Sequence, residues 1–242
     1  FTGLPYPEAF GGGGGSWLAF VIVLEELARV DCAVANSLMA NSSVASLLNN
    51  YGTAEQKQRY MKPILNGQRI GAIGLTEPNA GSDAANIATR ARRDGEHWVI
   101  DGAKTFISNS GTEVTGPVVI AAVTGARADG RKEISAIIVP SGTPGFTVAP
   151  KYSKVGWQCS DTHELSFTEC RVPAANLLGE RGRGYAQFLS ILDEGRIAIA
   201  ALATGLAQGC VDESVKYAQT REAFGRPIGA NQAIAFKLAD ME

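Results

Sequence analysis

Histidine is scarce in this chain and cysteine is thinly scattered. Two imidazoles, His97 and His163, and four thiols, Cys32, Cys159, Cys170 and Cys210, occur without a C-x-x-C pair, which argues against both a zinc site and a disulfide framework. Separated thiols suit a reducing compartment. Charge of one sign is missing too. The 22 basic and 24 acidic side chains leave a net charge of −2, so the basic field that nucleic acid demands is absent. No apolar run is long. The stretch Trp17 to Leu24 stops at Glu25-Glu26, too short to span a bilayer, and it lacks a signal peptide's basic start. The expectation is a soluble intracellular protein without a membrane span. An initiator Met is also lacking: the chain opens at Phe1 and closes at Glu242 within a helical pattern, so both ends read as cut.

What is present falls into three grammars. The length of 242 residues permits a real core in one or two domains. From Ser16 to about Asn66 the spacing is helical: one helix through Leu18, Val21, Ile22, Leu24 and Leu27 breaks near Asp31, Val34 to Leu48 gives a second, and Thr53-Ala54-Glu55-Gln56 caps a third. Gly11 to Gly15, followed by Ser16, has the composition of a flexible linker. From Arg69 to about Val172 short β runs appear, among them Ile70 to Leu75, His97 to Ile100, Val118 to Val123 and Ile134 to Val139. Asp94-Gly95, Asp101-Gly102, Asp129-Gly130 and Pro144-Gly145 punctuate them, which suggests an antiparallel barrel or sandwich. After Gly182-Arg183-Gly184 the text is helical again to about Gln219. From Ile197 through Ala207 that helix has no wet face, so further helices or partner subunits must cover it.

Thr76-Glu77-Pro78-Asn79-Ala80-Gly81-Ser82-Asp83 stands out directly after the apolar run ending at Leu75. Pro78, Asn79 and Gly81 supply tight-loop backbone conformations, and backbone amides in such a loop can converge on an anion. By itself the segment also reads as an ordinary β-turn with a polar tip.

The loop resembles the flavin-binding signature of the acyl-CoA dehydrogenases, and the likeness extends along the chain in family order. It continues in Gly3 to Gly12, Leu24 to Ala28, Tyr51-Gly52 with Glu55-Gln56-Lys57, and Gly102-Ala103-Lys104 with Phe106-Ile107-Ser108-Asn109. It ends in Gly156-Trp157 with Ser160-Asp161-Thr162 and Arg221-Glu222-Ala223-Phe224-Gly225. The resemblance implies an α+β multidomain fold. A partial N-terminal helical domain would occupy 1–68, a middle antiparallel β-barrel or sandwich domain 69–178, and the start of a C-terminal four-helix bundle 179–242.

It also implies chemistry. Desaturating an acyl-CoA thioester needs a base for the α proton and a hydride acceptor, which FAD supplies at N5. By resemblance, Thr76, Ser108 and the backbone of Ile73 to Leu75 meet the flavin edge, with Phe106 and Ile107 against its ring. Gly81 and Ser82 approach the pyrophosphate, Ser82 also the pantetheine arm, and Asp193 and Arg196 hold the CoA portion. Arg221, Phe224 and Gln232 reach an FAD bound mainly by a neighbouring subunit, which implies a homotetramer built as a dimer of dimers; electrons pass to an electron-transfer flavoprotein. Taken singly, these residues also have plain readings: Phe106 as core, Thr76 and Ser108 as strand ends, Asp193 and Arg196 as an i,i+3 surface pair, and Arg221 as a helix-end cation.

No catalytic base is assigned within the chain. Some family members carry it just before the Arg matched by Arg196, but Gly195 stands there; Glu194, about 100° round the helix, should face away. The base is expected beyond Glu242, and the fragment alone is expected to be inactive. Alternatives within the fold are an acyl-CoA oxidase or a flavin monooxygenase, and outside catalysis an acyl-CoA or partner-binding scaffold.

Overall fold

A computed structural model describes all residues from Phe1 to Glu242. Ser16 opens the first helix by accepting the Ala19 amide on its hydroxyl at 3.1 Å. Helix α1 (Trp17–Tyr51) leaves helical space once, at Asp31 with φ −150° and ψ 103°. The Asp31 carboxylate accepts the Ala33 amide at 2.8 Å, so the expected break is a kink whose second half is capped afresh. A reciprocal capping box between Thr53 and Gln56 starts α2 (Ala54–Gln56), which runs through a π-helical turn (Lys57–Met61) into α3 (Lys62–Leu65).

One eight-stranded sheet follows, built from β1 (Ile70–Gly74), β2 (Arg90–Asp94), β3 (His97–Ser108), β4 (Thr115–Ala126), β5 (Lys132–Pro140), β6 (Phe146–Val148), β7 (Thr162–Pro173) and β8 (Leu177–Leu178). Its order is β6-β7-β3-β2-β4-β5-β8, with β1 joined to β4 off that path. The long ladders β3–β7, β4–β5 and β2–β3 are antiparallel, as the turn signals predict. The expectation of a wholly antiparallel domain needs correction, because β1 and β2 both pair with β4 in parallel. Neither reaches β4 through a hairpin turn, and the long connections between them leave parallel pairing open.

The middle strands are covered on both faces. On β4, Val119 and Ala121 pack in a core with Val44, Leu47 and Leu48 of α1, whereas Val118, Ile120 and Ala122 point into a second core with Trp98, Leu165 and Phe167. Period-two alternation therefore sorts apolar residues between two cores instead of between core and water. Asn41 of α1 accepts the Gly71 amide at 2.8 Å, and Asn109 donates to the Ser37 carbonyl at 2.9 Å, fastening α1 to the edge of β1.

Helix α4 (Gly184–Thr220) crosses α1, and beyond it lie the hairpin β9 (Glu222–Ala223) and β10 (Arg226–Pro227) and helix α5 (Gln232–Met241). Ala198, Ala201 and Leu202 of α4 meet Phe20, Leu24 and Ala28 of α1 in a third core. Ile197, Ile199 and Leu206 remain exposed, so α1 covers one face of the apolar stretch and not all of it. Backbone contact requires glycine at the crossing: a Cβ on Gly205 would lie 2.0 Å from the Glu25 carbonyl oxygen, and one on Gly209 2.3 Å from that of Arg29. Arg29 clamps the same crossing to Asp212 through Nε at 2.6 Å. Gly205→Ala should lower stability by about 1–3 kcal/mol through overpacking, despite a helix-propensity gain of roughly 1 kcal/mol. Urea melting reads the change, and an unchanged midpoint would contradict the close crossing.

Candidate active site

The loop after β1 and a bulge in β3 form one wall of a cleft against α4. Glu77 and Ala80 exchange backbone hydrogen bonds at 3.0 and 3.1 Å, closing the tight turn that Pro78 and Asn79 predict. The Thr105 amide donates to the Thr76 carbonyl at 3.0 Å, tying the loop to β3. Between Lys104 and Ile107 the register with β7 shifts, the mark of a bulge. The bulge places Phe106 at φ 59°, a left-handed conformation that costs an aromatic residue on the order of 1–3 kcal/mol. It also leaves the ring 67% exposed, tilted over Tyr152 at 5.3 Å between centroids. Tyr152 is braced in turn by the Thr105 hydroxyl at 2.8 Å.

Beneath this wall is a buried ion pair. Lys104 is 0% exposed, and its ammonium donates to Glu77 Oε1 at 2.7 Å and to the Leu75 carbonyl at 3.1 Å. Glu77 also accepts the Ala88 amide at 2.6 Å and the Thr89 amide at 3.0 Å. Burial alone would raise the Glu77 pKa, but the hydrogen bonds from Lys104, Thr89 and Ala88 together outweigh it and hold the carboxyl below its usual range. Burial pushes Lys104 down to about 8, with Glu77 restoring part of the loss. The pair thus joins Leu75, Glu77, the lead into β2 and the base of the bulge.

The cleft itself is a cavity of about 490 Å³ between this wall, the second half of α1 and one face of α4. Ile73, Leu75, Thr76, Phe106, Ile107 and Arg196 all line it, together with Met39, Ser43 and Gly195. Six residues singled out from sequence therefore converge on one space. Gly81 and Ser82 sit on the exposed outer part of the loop, outside the cavity lining, and a Cβ on Gly81 would meet no protein atom within 4 Å. Packing does not demand glycine there. Ser108 lies on β3 just past the bulge and is half-buried. Asp193 and Arg196 form an exposed pair at 3.5 Å, of which only Arg196 borders the cavity.

The remaining candidates are elsewhere. At about 1.5 Å per residue, α4 carries Arg221 ~38 Å beyond Arg196. Phe224 and Gly225, at φ 56° and 75°, make the tight turn between β9 and β10, and Phe224 is fully exposed. Gln232 opens α5 and is exposed as well. Glu194 turns away from the cavity to accept a hydrogen bond from Ser46 Oγ at 2.7 Å, while Gly195 faces the cavity and has open space where a Cβ would stand.

Sequence reasoning assigned no role to Glu77, Lys104, Tyr152 or Met39. A lysine inside the β run that carries Phe106 is a signal for Lys104, since burial there demands a carboxylate partner. The Gly156-to-Thr162 motif serves as a brace: Ser160 accepts from Asn36 of α1 at 3.1 Å, and Asp161 holds both the Gly111 amide at 2.8 Å and the His163 ring at 2.6 Å.

Removing one partner of the buried pair, in Lys104→Met or Glu77→Gln, should cost about 3–5 kcal/mol. Because Glu77 is held below its usual pKa, its share of stability is present above that usual value and lost as pH falls. The deficit of Glu77→Gln should therefore shrink from about pH 5 toward pH 3. Denaturant melts across that range check it, and a pH-independent deficit would contradict the ionised pair.

Residues 72–170 match the middle domain of the acyl-CoA dehydrogenases, residues 1–68 their N-terminal domain and residues 182–242 their C-terminal domain. The chain is 47% identical over 240 residues to a probable acyl-CoA dehydrogenase of Bacillus subtilis, covering 99% of this chain and 63% of that protein. It is 43% identical over 241 residues to a short-chain specific acyl-CoA dehydrogenase of Clostridium acetobutylicum, again covering 99% and 63%. Among solved structures, butyryl-CoA dehydrogenase from Megasphaera elsdenii superposes with a TM-score of 0.93 at 40% identity, covering 99% of this chain and 63% of that one. The chain thus spans 63% of the length of each of these three relatives. With all three domain matches in sequence and the cleft lying where the first two meet the third, this chain belongs to the acyl-CoA dehydrogenase family.

Proposed function

We propose that this chain supplies most of the flavin and acyl-CoA walls of an FAD-dependent acyl-CoA dehydrogenase. The reaction converts an acyl-CoA thioester to its trans-2-enoyl-CoA and delivers the electrons to an electron-transfer flavoprotein. The observation that carries this reading is the convergence of Thr76, Phe106 and Arg196 on one cavity of about 490 Å³. Its residues fit FAD by their chemistry. A strained, exposed aromatic ring offers a face for an isoalloxazine, Thr76 and the Ile73–Leu75 backbone offer hydrogen bonds to its polar edge, and the open space at Gly81 admits a pyrophosphate beside Ser82. When bound, FAD supplies the hydride acceptor that no side chain provides.

The chain's own residues orient and exclude. Phe106 and Ile107 cover one flank, and Ile191, Leu192 and Ile199 of α4 keep water from the acyl carbons. Arg196 at the cavity edge, with Asp193 paired to it outside the lining, meets the polar CoA portion. No carboxylate lines the cavity, and Glu194 is engaged by Ser46 on another face. The base that takes the α proton accordingly belongs to a helical segment following Glu242, which also covers Ile197, Ile199 and Leu206. Arg221, Phe224 and Gln232, at and beyond the far end of α4, serve the FAD of a neighbouring subunit in a tetramer. No helix is long and apolar enough to cross a membrane, and the enzyme works in the cytoplasm or, in a eukaryote, the mitochondrial matrix.

The 242-residue chain by itself should turn over butyryl-CoA with an artificial electron acceptor at least about 10²-fold more slowly than the full-length protein, because a positioned general base contributes that much or more. Comparable turnover by the chain alone would place the base inside it. Stopped-flow reoxidation of the substrate-reduced full-length protein should be slow with oxygen and fast with an electron-transfer flavoprotein; rapid reaction with oxygen would make it an oxidase.

A further inference from the structure

Tyr152 stands outside the cavity lining, whereas Phe106, on which its ring rests, borders the cavity. It lies just beyond β6 on a stretch that keeps to β7. The Ala149 amide donates to the Glu164 carbonyl at 2.9 Å, and the Tyr152 amide donates to the Thr162 carbonyl at 3.0 Å. Lys154 pins the chain on the far side, its ammonium donating to the Thr162 hydroxyl at 2.6 Å and to the Ser160 carbonyl at 2.7 Å. The backbone that carries the phenol is therefore held before and after it.

Contacts run from Tyr152 toward each of the three residues that would meet the flavin ring. Its ring meets that of Phe106 at 5.3 Å between centroids and 38° between planes. Its hydroxyl shares a hydrogen bond of 2.8 Å with that of Thr105, whose amide donates to the Thr76 carbonyl at 3.0 Å. Its own amide is held by Thr162, the residue paired with Ser108 in the β3–β7 ladder. Phe106 needs such a support. A φ of 59° is unfavourable for an aromatic residue, and such conformations persist only where the surroundings over-determine them. With its ring 67% exposed, Phe106 has little other packing to hold it. A tilted aromatic contact attracts beyond the area it buries, and the bond to Thr105 keeps the phenol from swinging out to solvent.

Resting on the flavin reading of the cavity, we propose that Tyr152 is a positioning residue for FAD. Its ring sets the tilt of Phe106, and so the platform on which an isoalloxazine lies in register with Thr76 and Ser108. Because Tyr152 is outside the lining, it acts through Phe106 and not by contact with the cofactor.

The test is a double-mutant cycle on FAD affinity in the full-length protein, read by titrating the apoprotein and following the flavin visible band. Uptake of FAD by the parent establishes the flavin reading on its own; a parent that takes up none overturns that reading and the proposal with it. Tyr152→Leu should weaken FAD binding by about fivefold, within the range an aromatic pair supports. In a Phe106→Leu background the same change should cost at most about twofold, because no ring remains to be positioned. Losses that agree within about twofold between the two backgrounds, or no loss in either, overturn the proposal. Tyr152→Phe keeps the stacked ring and gives a readout free of any folding defect. It should bind FAD within about twofold of the parent and show the parent's visible circular dichroism of bound FAD, which Tyr152→Leu alters. A Tyr152→Phe variant that loses as much affinity as Tyr152→Leu, or a Tyr152→Leu variant with the parent's flavin spectrum, also counts against the positioning role.

Discussion

The Lys104–Glu77 ion pair is the interaction on which the site's geometry rests. Two unit charges taken out of water are costly, and the cost is met here because every strong acceptor and donor in the pair has a partner: Leu75 and Glu77 for the ammonium, Lys104, Ala88 and Thr89 for the carboxylate. Those partners belong to the end of β1, the lead into β2 and the base of the β3 bulge. One pair therefore fixes three segments whose side chains and backbone form a single cavity wall. Phe106 holds its left-handed backbone two residues beyond Lys104, so the strain at the exposed ring is stored next to the contact that can resist it.

The second constraint is the crossing of α1 and α4. Gly205 and Gly209 let the helices meet backbone to backbone near the Asp31 kink, which sets the second half of α1 close to the N-terminal half of α4. From that geometry Met39 and Ser43 face Ile191 and Gly195 across the cavity. The same helix rotation that gives Gly195 to the cavity gives Glu194 to Ser46. A single position along α4 thus decides whether a carboxylate meets the cavity or the space behind it.

Much of this was legible in the residues. The Asp31 break, the Thr53–Gln56 capping box, the turn at Pro78-Asn79 and the extent of α4 follow from local chemistry that needs no partner: side-chain oxygens near free amides, fixed φ at proline, and an uninterrupted apolar period. Convergence of Thr76, Phe106 and Arg196 was reached only through likeness to a family, because their spacing says nothing of distance in space. The parallel joins of β1 and β2 were not legible, since turn signals report hairpins and are silent on long connections. Lys104 escaped because a lysine within a strand acquires its meaning from what faces it, here the Glu77 carboxylate.

The most direct test of the account removes the charge of the central pair while keeping its volume. In the full-length protein carrying Glu77→Gln and Lys104→Met together, no buried charge is left orphaned, so the denaturation midpoint should fall less than in either single variant. FAD affinity, measured by titration of the flavin visible band, should fall by at least about tenfold, because the loop and the bulge are no longer held in one register. A folded double variant that binds FAD as tightly as the parent, with the same spectrum, would show that the pair merely fills the core and that the cavity wall is set by something else.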